Sequence, residues 1–502
     1  MPDAWPIRPA LLSLLFVVLR AASTLVVGQP GYTDAYYYFD VATRLARGAG
    51  LTADFVWAPL ELGALPVASH RFWMPIASVL QAASIAPLGT LIGDLRAAQL
   101  VLVFVAAVLP FATYICARSL GAGERLSLVA AAIVGLGGLF APAWVSFDGF
   151  GVAALLGMAF FVVFARAASG SALAGALAGI LVGLLYLTRA ETALFGLALL
   201  ALALRPATRA AGLFGAALAL AIGGGWLVRD VAIGTPSQYL ARTAFLGRYQ
   251  DFFALGDVET LGVVPLSDAL GARASALVAN AGTFVFAYAI VLVVPLVAGV
   301  RALWTRGQVR AWTLLAALVF GAESLIWTLH STRGSYFHSL AAFYGFGVAI
   351  AAVGAERLLM SRGPNLAAAW SWGALLLVAA MSAGTLQQWD AAFNTAERER
   401  AASLDAIPSG AFLAIDAAAW RFISGRTVLF TPADGIAAAG CVANVPEPHA
   451  TSIVLEDAHF SAYDELYRGG PRPDWLGAPI ERGRIKIFPI VSSAPCAIGF
   501  GP

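Results

Sequence analysis

The stretch from Gln29 to Pro87 reads QPGYTDAYYYFDVATRLARGAGLTADFVWAPLELGALPVASHRFWMPIASVLQAASIAP. It is too long and too polar to cross a bilayer, yet an apolar run of spanning length lies on each side of it. It carries Asp34, Asp40 and Asp54, one of the 5 histidines of the chain, and many aromatic residues. This composition indicates a substantial loop at a membrane surface, with carboxylates at the lipid–water boundary.

Two amphipathic segments of this loop predict helices. The first runs from Ala35 to Arg47, with Thr33 or Asp34 as a natural N-cap. The second runs from Phe72 to Ala86. We expect both helices to lie on the membrane surface, with their aromatic side chains at headgroup depth.

Composition places the chain among polytopic membrane proteins. Of its 502 residues, 60% are hydrophobic and only 12% are charged, and the mean hydropathy is +0.80. A soluble protein could not solvate such a surface. The net charge of +2 and the lack of basic blocks give no indication of nucleic-acid binding.

Apolar runs of spanning length predict about eleven membrane-spanning helices. Short connections rich in arginine alternate with longer acidic and aromatic ones, so the positive-inside rule predicts a cytoplasmic N-terminus and an outer C-terminus. The runs fall near 10–28, 96–117, 126–142, 150–166, 172–188, 190–204, 212–229, 279–300, 311–329, 338–355 and 367–386.

The predicted organisation is a mostly α membrane domain over 1–386, followed by a small outer α/β domain over 387–502. Long outer loops fall at 29–95 and 230–278. The tail has a charged helical stretch near 388–404, then short strand-like runs AFLAID, RTVLF, TSIVLE and RIKIFPIV between Gly and Pro turns.

The 3 cysteines divide into two groups. Cys116 lies in an apolar run and is expected to be a packed small residue. Cys441 and Cys496 both lie in the tail, where an oxidising compartment favours a disulfide between them; two buried free thiols are the alternative.

Several ionisable residues lie in short turns close to the predicted membrane boundary, where charges are costly and usually face a cavity or one another. Arg189 and Glu191 form either part of a site or a local ion pair that ends a span. Asp148 is either a helix N-cap or a substrate contact, and His338 either takes part in a site or is an interfacial residue.

Common catalytic and cofactor motifs are absent from the sequence. It has no Walker A loop, no HExxH, no CxxC, no Gly-x-Ser-x-Gly and no Gly-rich dinucleotide turn. No dedicated metal site is recognisable and no cofactor is expected, although Asp34 and Asp54 could share a divalent ion.

The loop YTDAYYYFDVATRLARGAGLTADFVW, followed by HRFWMP, resembles the first outer loop of GT-C glycosyltransferases. The likeness is to the bacterial family 39-like and ArnT-type branch, which is related to protein mannosyltransferases. The step Thr188-Arg189-Ala190-Glu191 is similar to a recurrent Arg-acid step of that branch, and GTPSQYLARTAFLGRYQDFF and RGSYFHSLAAF also resemble bacterial members. The resemblance spans roughly 30–355 and rests on the order of several segments.

The resemblance implies an inverting transfer of a sugar from a polyprenyl-phosphate donor to a glycan, lipid or protein acceptor on the outer face of a bacterial cytoplasmic membrane. It implies that Asp34 is the general base, with Asp54 as an alternative because Ala35 stands where mannosyltransferases have a second acid. An arginine should neutralise the leaving phosphate, since its planar fork suits phosphate oxygens. Candidate phosphate-binding residues are Arg189, Arg333, His338, Arg242 and Arg248, and candidate substrate contacts are Tyr36, Tyr37, His70, Trp73, Asp148, Glu191 and Tyr249.

Three other functions remain open from the sequence. An O-antigen-ligase-like enzyme would also use a lipid-linked glycan, but it predicts a large functional loop late in the chain, whereas here the first loop is the rich one. A transporter or flippase of a lipid-linked glycan predicts broken spans and paired charges near the bilayer midplane, whereas here the charges cluster at one predicted face. A non-catalytic scaffold with a partner-binding tail predicts that Asp34→Asn has no effect.

Overall fold

The computed structural model describes residues 7–234, 248–256, 264–359, 362–444, 447, 449–494 and 496. The chain forms two compact units, each assembled from three separate stretches. The membrane unit comprises residues 1–28, 73–233 and 273–389, and the mixed unit comprises residues 29–72, 234–272 and 390–502. Loop segments that are far apart in sequence therefore share a unit with the tail.

Helices dominate the described residues. They are α1 (Ile7–Val26), α2 (Thr33–Ala46), α3 (Ile76–Ile92), α4 (Asp94–Ser119), α5 (Glu124–Leu136), α6 (Phe150–Ala167), α7 (Ala172–Thr188), α8 (Gly196–Ala203), α9 (Arg209–Ala232), α10 (Leu266–Ala287), α11 (Val293–Ala302), α12 (Gly307–Leu325), α13 (Thr328–Ser331), α14 (Ser335–Leu359), α15 (Pro364–Trp389), α16 (Thr395–Ala401), α17 (Ala417–Ser424), α18 (Ile436–Asn444) and α19 (Asp464–Tyr467).

Helices of the membrane unit cover most of the predicted apolar runs, although α5 ends at Leu136 and the rest of the run 126–142 is a short 3₁₀ helix and a turn. Among the described residues, 7 helices are long and apolar enough to cross a membrane, and shorter apolar helices accompany them. This confirms a mostly α, polytopic membrane fold. The run at 279–300 differs from the prediction, because α10 ends at Ala287 and α11 begins at Val293.

The break between α10 and α11 has a tertiary cause. The sequence from Thr283 to Val294 contains neither glycine nor proline, so its pattern predicts a continuous helix. Tyr288 is instead fully buried against Phe284 and Tyr344, and the next two residues have positive φ angles of 47° and 58°. Long-range packing of one aromatic side chain overrides local helix preference here.

The α7–α9 interface uses small residues spaced four apart. Gly175, Gly179 and Gly183 lie on one face of α7. A Cβ at Gly175 would overlap the carbonyl of Ala211, and one at Gly179 would overlap the carbonyl of Gly215. The two backbones therefore approach as closely as in other small-residue helix pairs of membranes.

The mixed unit contains a five-stranded sheet in the order β4–β3–β5–β7–β6. The strand β3 pairs in parallel with β4 and β5, and β7 is antiparallel to both β5 and β6. These positions confirm the strands predicted in the tail. The strands are β1 (Thr52–Ala53), β2 (Val67–Ala68), β3 (Ala411–Ala414), β4 (Val428–Phe430), β5 (Ala450–Leu455), β6 (Ile480–Arg482) and β7 (Ile485–Pro489).

The first loop is an integral part of the mixed unit. The Val56 amide donates to the Val428 carbonyl at 3.0 Å and adds a bridge at the edge of the sheet, and β1 pairs with β2 within the loop. A disulfide joins Cys441 to Cys496. The tail and the first loop thus share one hydrophobic core.

The helix α2 begins at Thr33, two residues earlier than predicted, and its surroundings also differ from the prediction. Tyr32 occupies the N-cap position without a side-chain cap, and Asp34 lies in the first turn, so the N-cap prediction for Thr33 or Asp34 is wrong. Tyr36, Tyr37 and Tyr38 are each at most 1% exposed. These rings are packed within protein, in contrast to the expected position at headgroup depth.

We predict that Gly179→Leu destabilises the membrane unit by about 1–3 kcal/mol, because the new side chain has to displace the backbone of α9. The matched control is Gly373→Leu on α15, where a Cβ would meet open space. Thermal unfolding of both purified variants measures the difference. Equal unfolding midpoints for the two variants would contradict the close α7–α9 contact.

Candidate functional site

A cluster of ionisable side chains lies inside the membrane unit, where three chain turns meet. Asp148 lies in the turn before α6. Arg189 and Glu191 lie where α7 gives way to the 3₁₀ helix Ala190–Phe195. Ser335 and His338 lie in the first turn of α14. We call these five residues the polar cluster.

The backbone conformation at the end of α7 sets the position of the Arg189 side chain. Arg189 ends α7 with an extended backbone (φ −156°, ψ 131°), and the chain re-enters the unit as the 3₁₀ helix. The guanidinium donates from Nη2 to Glu191 Oε1 at 2.9 Å and to Ser335 Oγ at 3.2 Å. Arg189 and Glu191 side chains are only 13% and 15% exposed. The ion pair is therefore largely withdrawn from water and links the end of α7 to the start of α14.

Asp148 pairs with His338, with 3.2 Å between its Oδ2 and the ring Nδ1. Asp148 is 3% exposed, and the imidazole packs on the Phe150 ring with 4.2 Å between centroids. Burial by itself would raise the pKa of Asp148, but His338, Arg189 and the Gly149 amide together hold it below its ordinary value. Asp148 is therefore a buried carboxylate, and Gly149 rather than Asp148 occupies the N-cap of α6.

Four predicted site residues thus meet in one place: Asp148, Arg189, Glu191 and His338. Arg333 is exposed and lies two residues before α14. The sequence analysis missed Ser335 and its neighbour Glu323, which is completely buried on α12. A lone glutamate within the apolar run 311–329 was the available signal, because an ionisable residue within a span usually has a functional partner.

The aromatic candidates of the first loop have structural contacts in the mixed unit. The Tyr36 hydroxyl donates to Gln29 Oε1 at 2.6 Å, and the Tyr37 hydroxyl accepts from the His70 amide at 2.5 Å. His70 is fully buried, has a φ of 59° and stacks on Tyr38. These three residues support the loop from inside.

Asp34 and Asp54 occupy different settings in the mixed unit. Asp34 is partly buried in the first turn of α2. Asp54 Oδ2 forms ion pairs with both Arg44 and Arg421, and Arg421 also pairs with Asp40 at 3.3 Å. Asp54 therefore belongs to an ion network that ties the loop to α17, and sequence reasoning did not identify Arg421 as its partner.

The remaining candidates are distributed over both units. Trp73 is partly buried and lies just before α3 in the membrane unit. In the mixed unit, exposed Arg248 pairs with Asp251 at 3.5 Å, and Tyr249 packs edge-on against Phe253. Arg242 lies outside the described residues.

Comparisons with known proteins identify the fold. ArnT from Cupriavidus metallidurans in the apo state superposes with a TM-score of 0.58 over 96% of this chain and 98% of that chain, at 12% sequence identity. The Archaeoglobus fulgidus oligosaccharyltransferase in the apo form gives 0.51 over 91% of this chain and 70% of that chain, at 13% identity. The chain has the GT-C fold.

Sequence comparison adds nothing to this result. No protein family model matches the chain, and no curated protein sequence matches it. At 12–13% identity the two likenesses establish the GT-C fold only, so the site has to be interpreted from its own residues.

We predict that Asp148→Asn lowers stability at pH 7 by about 1–3 kcal/mol, because a buried charge-assisted pair loses its charged partner. The pKa of Asp148 is lowered in the folded state, so its contribution is complete above the ordinary carboxyl range near pH ~4. The contribution disappears as the pH falls through the lowered pKa. Wild type and variant should therefore differ at pH 7 and converge in acid.

Thermal unfolding at a series of pH values measures this convergence. Asp268→Asn serves as control, because Asp268 is exposed at the start of α10. A stability difference that is the same at pH 7 and in acid would contradict an ionised Asp148.

Proposed function

We propose that the chain is an integral membrane glycosyltransferase that moves a sugar from a polyprenyl-phosphate-linked donor to an acceptor hydroxyl at the outer face of a bacterial cytoplasmic membrane. The main support is a buried cluster of arginine, histidine and carboxylates inside a GT-C fold. Burying these charges among apolar helices costs free energy, and a helix with only a structural role does not require such charges.

Structural neighbours support the class of donor. One structure of the Cupriavidus metallidurans ArnT holds undecaprenyl phosphate, with a TM-score of 0.54 to this chain. The Archaeoglobus fulgidus AglB has been captured with an inhibitory peptide and a dolichol-phosphate, with a TM-score of 0.50. Both ligands are polyprenyl phosphates, so we propose the same chemical class for this chain, together with bilayer lipid around the spans.

The proposed reaction is a single inverting displacement. The acceptor oxygen attacks the anomeric carbon, the bond from that carbon to the phosphate oxygen breaks, and the electron pair leaves with the polyprenyl phosphate. The acceptor proton passes to a carboxylate, for which we propose Asp34. Protonation of Asp54 would instead disrupt its ion pairs with Arg44 and Arg421, which makes Asp54 the poorer base.

Positive charge is needed where the leaving phosphate develops its negative charge. We propose that Arg333 and Arg189 supply it, with His338 as an additional hydrogen-bond donor. Arg189 is fixed by Glu191 and Ser335, and the exposed Arg333 lies two residues before Ser335. In this proposal Arg189 positions the phosphate and the exposed Arg333 captures it.

We predict that the wild-type protein transfers sugar from one member of a panel of radiolabelled polyprenyl-phosphate sugars to acceptors in a membrane extract. Asp34→Asn should lower the transfer rate about a hundredfold or more while still binding the donor, because a general base contributes about 10²–10⁴-fold to the rate. Asp54→Asn is the matched control and should retain most of its transfer rate if it folds.

Three outcomes would count against this assignment. Full activity of Asp34→Asn would remove this residue from the mechanism. Loss of activity only in Asp54→Asn, with the protein folded, would move the base to that residue. Movement of the intact donor across vesicles without transfer of sugar would favour a flippase.

We predict that Arg333→Ala weakens donor binding about tenfold or more, because a hydrogen bond to a charged group contributes about 1.5–3 kcal/mol. Arg333→Lys should restore part of the affinity through its charge but lack the planar fork. Steady-state kinetics with donor varied measure this as a rise in KM. Arg166→Ala, in the last turn of α6, is the control, and an equal rise in both variants would contradict the role of Arg333.

A further inference from the structure

Ser335 lies between two carboxyl groups. Its Oγ is 2.8 Å from Glu191 Oε1 and 2.9 Å from Glu323 Oε1, and it also accepts from Arg189 Nη2. A serine hydroxyl carries a single hydrogen and can donate it to only one of the two carboxyl oxygens. The second short contact therefore needs a proton from a carboxyl group.

Charge pairing identifies which glutamate carries that proton. Glu191 faces the Arg189 guanidinium at 2.9 Å and is therefore the carboxylate of the pair. Glu323 is completely buried, and its hydrogen bonds within the described residues are to the hydroxyls of Ser335 and Ser339. A buried carboxylate without a basic partner is strongly disfavoured compared with the neutral acid.

We propose that Glu323 is a protonated carboxylic acid that positions Glu191, and through it Arg189, by a hydrogen-bond relay across Ser335. In this relay the Glu323 carboxyl donates to Ser335 Oγ, and the Ser335 hydroxyl donates to Glu191 Oε1. Every short oxygen–oxygen contact then has a hydrogen, and the Arg189–Glu191 pair keeps balanced charges. Glu323 acts as a positioning residue that does not itself contact the donor.

The surroundings of Glu323 include several other titratable groups. Glu191 on the 3₁₀ helix and Arg189 just before it interact with Glu323 electrostatically, as does Tyr336 on α14. His330 on α13 interacts with the same Arg189–Glu191 pair. A proton lost from Glu323 would place a second negative charge beside Glu191, with Arg189 as the shared cation, and the guanidinium would then be drawn away from its position.

Infrared difference spectroscopy tests the protonation directly and requires no enzymatic activity. The full chain in lipid vesicles at pH 7 should show the C=O stretching band of a protonated carboxylic acid, which shifts in D₂O. Subtraction of the Glu323→Gln spectrum should isolate this band. Glu356→Gln, the same substitution on a different helix, α14, should leave the band in place, and a wild-type minus Glu323→Gln difference spectrum without the band would overturn the proposal.

Ser335→Ala provides a second measurement should Glu323→Gln not fold. Removal of the hydroxyl deprives the Glu323 acid of its acceptor, so the band should move to higher frequency. An unchanged band position in Ser335→Ala would overturn the relay.

The functional consequence rests on the proposed transfer reaction and has its own test. Glu323→Gln should keep the KM for the sugar donor within about threefold of wild type, because the amide N–H can donate the hydrogen bond in place of the acid. Glu323→Ala should raise this KM about tenfold or more, because no hydrogen bond to Ser335 remains. Wild-type donor KM should also rise at alkaline pH, and that of Glu323→Gln should not. If Glu323→Gln and Glu323→Ala changed the donor KM equally, the positioning role would be overturned. If neither the wild type nor any variant transferred sugar, the proposed function would be contradicted, but the infrared result on Glu323 would still stand.

Discussion

The membrane unit depends on one constraint: charges buried among apolar helices have to find partners within the protein. Arg189 and Glu191, two residues apart at the end of α7, pair with each other, and both form hydrogen bonds with Ser335 at the start of α14. Moving either helix end would leave a charged group in an apolar environment without its partner. An unpaired buried charge costs several kcal/mol, and this cost holds the two helix ends together.

The spans themselves obey a simpler rule. Their apolar runs follow from hydropathy, and close approach of α7 and α9 follows from Gly175 and Gly179. Apolar runs and small residues at helix contacts specify how the helices pack through residue size and polarity. They do not require a particular amino acid at most other positions. This explains how a chain with 12% identity to ArnT reaches the same GT-C fold. It also means that the fold by itself identifies neither a sugar nor an acceptor.

Local patterns predicted much of this structure. The spans, helix α2 and the strands of the tail were recognisable because hydropathy runs, alternation and Gly/Pro turns are properties of neighbouring residues. Glu191 and Arg189 were recognisable because they interrupt an apolar stretch. The helix break after Tyr288 was not recognisable, because it involves packing against the distant Tyr344. The ion pair between Arg421 and Asp54 was not recognisable either, because the two residues lie 367 positions apart. Burial of Tyr36 and Tyr37 was missed for the same reason, because an amphipathic pattern does not tell protein packing from lipid contact.

A cryo-EM structure of the protein incubated with polyprenyl phosphate tests the proposed donor site most directly. We expect density for the phosphate within hydrogen-bonding distance of the Arg189 or Arg333 guanidinium, near the start of α14. A phosphate bound elsewhere, with Arg189 and Arg333 unoccupied, would contradict the assignment of the polar cluster as the donor site. That result would leave the GT-C fold established and require a different account of why these charges are buried.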